Sequence, residues 1–151
     1  MHLKDYVQVM LVETVKLNLI FPGLLGIVHG HNYFVTVEIG VEDTNLNKDG
    51  MVIDFKLMKQ LIHSYFDQYD HSMILTADNP LVEIYRKNYA EHGLSLDQTR
   101  LFVWKENPTA EYMAKKWHSD LVQVFNSVDS RKKEIAVTVE ETQHNSVTYK
   151  Q

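Results

Sequence analysis

Three short stretches of this chain carry side chains able to do chemistry. In His29-Gly30-His31 the two imidazoles are two residues apart, so on an extended backbone they project from one face, as two ligands of one metal must. In Asp70-His71 a carboxylate stands next to an imidazole that it could orient and charge for proton transfer. In Glu140-Glu141-Thr142 two carboxylates end an alternating stretch, and only one of them can face inward. An inward carboxylate suits a ligand with adjacent N–H donors, such as a 2-amino-4-oxo pyrimidine ring. Taken singly, each stretch also fits a solvated polar surface.

The elements that must position them can be read from the hydrophobic pattern. From Tyr6 to Leu19 β-branched and aromatic residues recur, which predicts a long strand. Pro22, Gly23 and Gly26 then break the pattern, and His31 to Ile39 predicts a second strand, antiparallel to the first. Asp54 stands at an N-cap position before Leu57, Met58, Leu61, Ile62, Tyr65 and Phe66, which repeat with helical spacing. A second helix starts at Asn107-Pro108 and lines up Ala110, Met113, Ala114, Trp117, Leu121, Val124 and Phe125. Between them Leu81 to Tyr89 suggests a short helix and Arg100 to Trp104 a short strand. Glu134 to Glu141, a turn at Gln143 to Ser146, and Val147 to Tyr149 predict a closing hairpin. The order is β-β-α-insert-α-β-β, an α+β arrangement with two helices on one antiparallel four-stranded sheet.

The chain has 151 residues, 44% hydrophobic and 23% charged, consistent with one domain over 1–151. A net charge of -5 offers no broad basic surface for nucleic acid. No stretch reaches the roughly 18 to 20 apolar residues of a membrane helix, and Met1-His2-Leu3-Lys4-Asp5 does not begin a signal peptide. A cytoplasmic protein with no membrane partner is therefore expected. Cysteine is absent, which removes disulfides, thiolate nucleophiles and thiolate metal ligands.

Five stretches in order resemble the 6-pyruvoyl-tetrahydropterin synthase and 6-carboxytetrahydropterin synthase family. They are His29-Gly30-His31-Asn32-Tyr33, Gly50 to Phe55, Asp70-His71 with Leu75 beyond it, Asn107-Pro108-Thr109-Ala110-Glu111, and Glu141-Thr142 followed by Tyr149. The resemblance covers nearly the whole chain. It implies the tunnelling fold, in which trimers close a barrel from their sheets and two trimers stack into a homo-hexamer. It implies that His29 and His31 are two of three zinc histidines, that Asp70 and His71 are a catalytic pair, and that Glu141 and Thr142 anchor a small-molecule pterin. Thr109 and Glu111 match a motif near the pocket. In the family, zinc acidifies a carbon-bound proton of 7,8-dihydroneopterin triphosphate and a cysteine base removes it.

Two positions depart from that pattern. The third zinc histidine aligns with Lys16, whose protonated ammonium has no lone pair for a metal. The family cysteine aligns with Leu25, and Leu24, Gly26 and Ile27 beside it offer no base. A shift of register by one would bring Glu13 or Asn18 toward the metal site instead, and Lys16 could alternatively supply positive charge where the metal sat. Two functions follow from the resemblance. One is a lyase of pterin or deazapurine precursor metabolism using Asp70 and His71. The other is a module that binds a pterin or purine-like ring without turning it over, having lost the zinc and the cysteine.

Overall fold

The computed structural model describes residues 8–22, 28–94, 99–142 and 145–151. Its two longest strands, β1 (Gln8–Pro22) and β2 (Val28–Glu42), form an antiparallel hairpin. After β2 the chain turns through Asn47 to Gly50, where Asn47 Oδ1 accepts from the N–H groups of Asp49 and Met51 at 2.9 Å each. Gly50 closes this turn at φ 76°, a conformation in which a Cβ would clash with its own backbone. Helix α1 (Phe55–Asp67) follows, capped as predicted by Asp54, whose Oδ1 accepts from the Lys56 N–H at 2.8 Å. Then come β3 (Ser72–Thr76), α2 (Leu81–Glu91), β4 (Leu101–Trp104), α3 (Ala110–Val128), β5 (Glu134–Thr142) and β6 (Asn145–Lys150).

The strands make one six-stranded sheet in the order β4-β3-β1-β2-β5-β6. Four of them, β1, β2, β5 and β6, pair antiparallel as the pattern predicts. The four-stranded antiparallel expectation is nonetheless too small. Ser72-Met73-Ile74-Leu75-Thr76 is a strand that follows directly on Asp70-His71, and β3 pairs parallel to both β1 and β4. A parallel neighbour needs a crossover connection, and α2 supplies it. Five residues are too few for periodicity to separate strand from loop, so β3 was hidden in the sequence.

Alternation divides the sheet into two faces. Val15, Leu17 and Leu19 of β1, Tyr33, Val35, Val37 and Ile39 of β2, and Ile135, Val137 and Val139 of β5 are buried. They form one core with Met58, Ile62 and Phe66 of α1 and Met113, Trp117, Leu121 and Phe125 of α3. Both main helices therefore lie on one face, as expected. On the other face α2 covers the β3–β4 wing through Val82 against Leu75 and Leu101. The helix-free remainder of that face shows Val12 and Phe34, 48% and 44% exposed. It also carries a row of Thr14, Thr36, Thr138 and Thr148, opposite one another across four strands. Their hydroxyls bond in pairs at 2.9 and 2.7 Å. Among the described residues no helix is long and apolar enough to cross a membrane.

Two polar devices close the helix layer. His118 of α3 is buried, and its Nε2 donates to the Ile135 carbonyl at 2.9 Å, which satisfies a core histidine. Arg131 pairs with Asp129 and donates to the carbonyls of Asn45 and Val52, tying the α3–β5 turn to the segment before α1. Trp117 is the hub of the aromatic packing, with ring centroids 5.3 Å from Phe66 and 5.4 Å from Tyr69. Trp117→Ala is expected to cost about 3–5 kcal/mol, the range for deleting a large buried aromatic side chain, read as a lowered urea midpoint with an unchanged m-value.

Candidate functional site

The site is built at the end of the β1–β2 hairpin where the chain passes from one strand to the other. In the observed register Phe21 stands opposite His29, Leu19 opposite His31 and Leu17 opposite Tyr33. Because side chains alternate, His29, His31 and Tyr33 share the helix-covered face with Phe21. The two imidazole centroids are 4.6 Å apart, at 77° to one another. Phe21 lies against both, 5.4 Å from His29 and 5.6 Å from His31, nearly parallel to the latter.

From the neighbouring strand Glu141 reaches the same place. Glu140 is opposite Phe34 on the outer face, so it is Glu141 that turns inward. Glu141 Oε1 lies 3.5 Å from His31 Nδ1, with both side chains a little over one-third exposed. At that length the contact is electrostatic rather than a full hydrogen bond, and the carboxylate retains acceptor capacity. Burial, with the charge of Glu141 adding to it, pushes the Tyr33 phenol well above its ordinary value, so it stays a hydroxyl donor at neutral pH. Thr142 ends β5 opposite Asn145, and its side chain is outside the described residues.

The Asp70–His71 pair is set by three independent restraints. His71 Nδ1 is 3.1 Å from Asp70 Oδ2, while Asp70 Oδ1 accepts from the Asn18 N–H at 2.9 Å and from Asn18 Nδ2 at 3.2 Å. The His71 N–H returns a bond to the Asn18 carbonyl at 2.7 Å. Arg100 donates through Nε to the Asp70 carbonyl at 2.9 Å and through Nη2 to the carbonyls of Asp67 and Asp70. These bonds hold His71 at φ 59°, a left-handed conformation that a non-glycine residue keeps only when its surroundings enforce it. Partial burial works against the Asp70 charge, but the Asn18 bonds and the His71 imidazole outweigh it and hold the carboxyl below its ordinary value of 3.8. The His71 side chain is 73% exposed.

A cleft of about 180 Å³ is bordered by His31 and His71 together with Asn18, Ile20, Gly30 and Asn32. Asn18, Ile20 and Asn32 belong to the outer face of the hairpin, opposite the face that carries Glu141. A larger cavity of about 360 Å³ lies at the far end of the strands, by Gln8, Glu42 and Glu134. Its Lys133 is engaged with Asn126 and the Arg131 and Asp129 carbonyls, and none of the sequence-predicted site residues lines it.

Other expected positions separate from the cluster. Lys16 is opposite Phe34, exposed on the outer face, so its ammonium does not stand where a third ligand would be. Glu13 is opposite Val37 and pairs with His63 Nε2 at 2.9 Å, tying β1 to α1. Asn18 serves Asp70. Thr109 caps α3, its Oγ1 accepting from the Tyr112 N–H at 3.1 Å, and Glu111 is exposed in the first turn, where its charge suits the helix N-terminus. Among the described residues no contact joins either to the His31–Glu141 pair. Leu25 lies outside the described residues. The sequence pattern carries no signal for the roles of Phe21, which lies beyond the predicted first strand, or of Arg100, at the start of a predicted short one.

The model of the 6-pyruvoyl tetrahydropterin synthase family matches residues 21–151. The chain belongs to this family. It is 34% identical over 87 residues to a 6-carboxy-5,6,7,8-tetrahydropterin synthase of Rickettsia typhi, covering 57% of this chain and 56% of that one. It is 27% identical over 125 residues to the enzyme of the same name from Aquifex aeolicus, covering 82% and 74%. The chain thus spans little more than half the length of the first of these relatives. An uncharacterised protein of Wolinella succinogenes has the same fold, at a TM-score of 0.71 and 17% identity over 95% of this chain and 98% of that one. So does a 6-pyruvoyltetrahydropterin synthase of Plasmodium vivax, at 0.69 and 18% over 96% and 98%.

The zinc that the family resemblance implies can be tested against these residues. His29 and His31 are close enough to share an ion, but the β1 side chain that faces both is Phe21, and phenyl carbon donates no lone pair. Among the described residues no three histidine, aspartate or glutamate side chains are grouped to hold a metal. The donor set of this chain does not fit a zinc site.

A depressed Asp70 contributes stability that is complete above its ordinary value of 3.8 and is lost as pH falls through the lower folded value. Asn18→Ala removes one of the two Asn18 bonds, so the Asp70 carboxyl is expected to titrate closer to 3.8, as followed by carbon-detected NMR of the side chain. An unmoved titration curve contradicts the role given to Asn18.

Proposed function

We propose that the chain is a pterin-synthase-type protein that takes 7,8-dihydroneopterin triphosphate or a near relative and acts on it as a lyase. The observation that carries this reading is the inward turn of Glu141 beside His31. The carboxylate there can accept from the amino and ring N–H groups of a pterin, while the imidazoles supply donors around it. Asp70, kept ionised, orients His71 with its hydrogen on Nδ1 and leaves Nε2 to take or return a proton. The proposal includes a cytoplasmic homo-hexamer. The exposed Val12 and Phe34 on the helix-free sheet face, and the open edge of β6, suit a sheet that continues into another copy.

The absence of cysteine favours a second reading, in which the same pocket binds a pterin without turning it over. Incubation with dihydroneopterin triphosphate and chromatography of the products separates the two. Product that is lost in His71→Ala supports the lyase; tight binding of neopterin with no product supports the module.

Either reading requires Glu141. Glu141→Gln is expected to weaken neopterin binding roughly 10- to 100-fold, because a charge-assisted hydrogen bond contributes about 1.5–3 kcal/mol. Calorimetric titration giving the wild-type Kd for this variant contradicts the pterin assignment.

A further inference from the structure

We propose that this chain holds its ligand without a resident metal, with Phe21 filling the corner beside His29 and His31 that a third ligand would need. The inference rests on the pterin reading for what the pocket holds, but not for its claim about the metal. A catalytic zinc takes three protein ligands and leaves one position for water or substrate. The hairpin register brings two residues of β1 near the histidine pair on the shared face, Leu19 and Phe21, and neither has a donor atom. Phe21 is also packed into place. Its ring lies 25° from the plane of His31 and 6.2 Å from the buried Tyr33, so it belongs to an aromatic row that runs along the strand. From the other side His31 faces the Glu141 carboxylate. The sequence between β1 and β2, Gly23-Leu24-Leu25-Gly26-Ile27, contains no side chain able to bind a metal.

With no metal, the pair acts through hydrogen bonds and ring surface. The imidazoles meet the oxygens of a hydroxylated side chain, Glu141 meets N–H donors, and the Phe21–His31 stack offers a flat apolar wall to a planar heterocycle.

The test is metal content of the whole chain after exposure to Zn²⁺ and dialysis, by elemental analysis, with Co²⁺ absorption as a probe of tetrahedral ligation. The wild type is expected to retain well under one ion per chain, and Phe21→His, which restores a three-histidine set, to retain about one with a tetrahedral cobalt spectrum. About one zinc per wild-type chain, lost on His31→Ala, overturns the proposal. A folded Phe21→His chain that still takes no metal overturns the role of Phe21. Should that variant not fold, neopterin titration with and without EDTA carries the test. An unchanged Kd supports the proposal, and tenfold weaker binding in chelator overturns it. A metal-free wild type that binds no neopterin defeats the pterin reading and upholds this one. A zinc-loaded wild type that binds it does the reverse.

Discussion

The pairing register of β1 with β2 is the constraint on which the site depends. A strand alternates its side chains with a period of two, so a slip of one residue would carry every histidine to the opposite face. With Phe21 opposite His29 and Leu19 opposite His31, both imidazoles and Tyr33 point toward the helices and Lys16 points away. The register is held by burial: Val15, Leu17 and Leu19 face the same way as Tyr33, Val35 and Val37, and all six are buried. Moving them by one residue would bring apolar side chains into water and Lys16 into the core, which costs far more than any hairpin preference. The core therefore sets the direction of the chemistry.

The second group is tied to that hairpin from outside it. Asp70 and His71 follow α1, yet their geometry is fixed by Asn18 of β1, through both of its nitrogens and its carbonyl. Arg100, which enters β4 after the crossover helix, grips the carbonyls of the same turn. The β3-α2-β4 segment thus does more than extend the sheet. It delivers the guanidinium that keeps a left-handed His71 in place, so a substitution far along the chain can alter the presentation of this imidazole.

The electrostatics suit a ligand with both donors and acceptors. Glu141 and Asp70 are carboxylates kept close to imidazoles, Tyr33 is held protonated by burial, and the face of Phe21 is apolar. Such a set offers hydrogen-bonding partners beside an apolar ring surface. The sequence contains no cysteine, and Asp70 and His71 are paired side chain to side chain at 3.1 Å.

Much of this was legible in the residues. The helices α1 and α3 followed from the spacing of Met58, Ile62 and Phe66 and of Met113, Trp117 and Leu121, because an apolar stripe at helical period has few other ways to be buried. The cap at Asp54 and the pairing within Asp70-His71 are local, and local chemistry can be read from a single stretch, whereas Thr109 matched a pocket motif and proves to cap α3. The inward turn of Glu141 rather than Glu140 followed only once β5 was registered on β2. Strand β3, the clamp by Arg100 and the place of Phe21 beside the histidines depend on contacts between segments distant in sequence. Spacing along a chain says which side chains share a face of one strand; only the packed sheet decides which residue of the next strand stands opposite them.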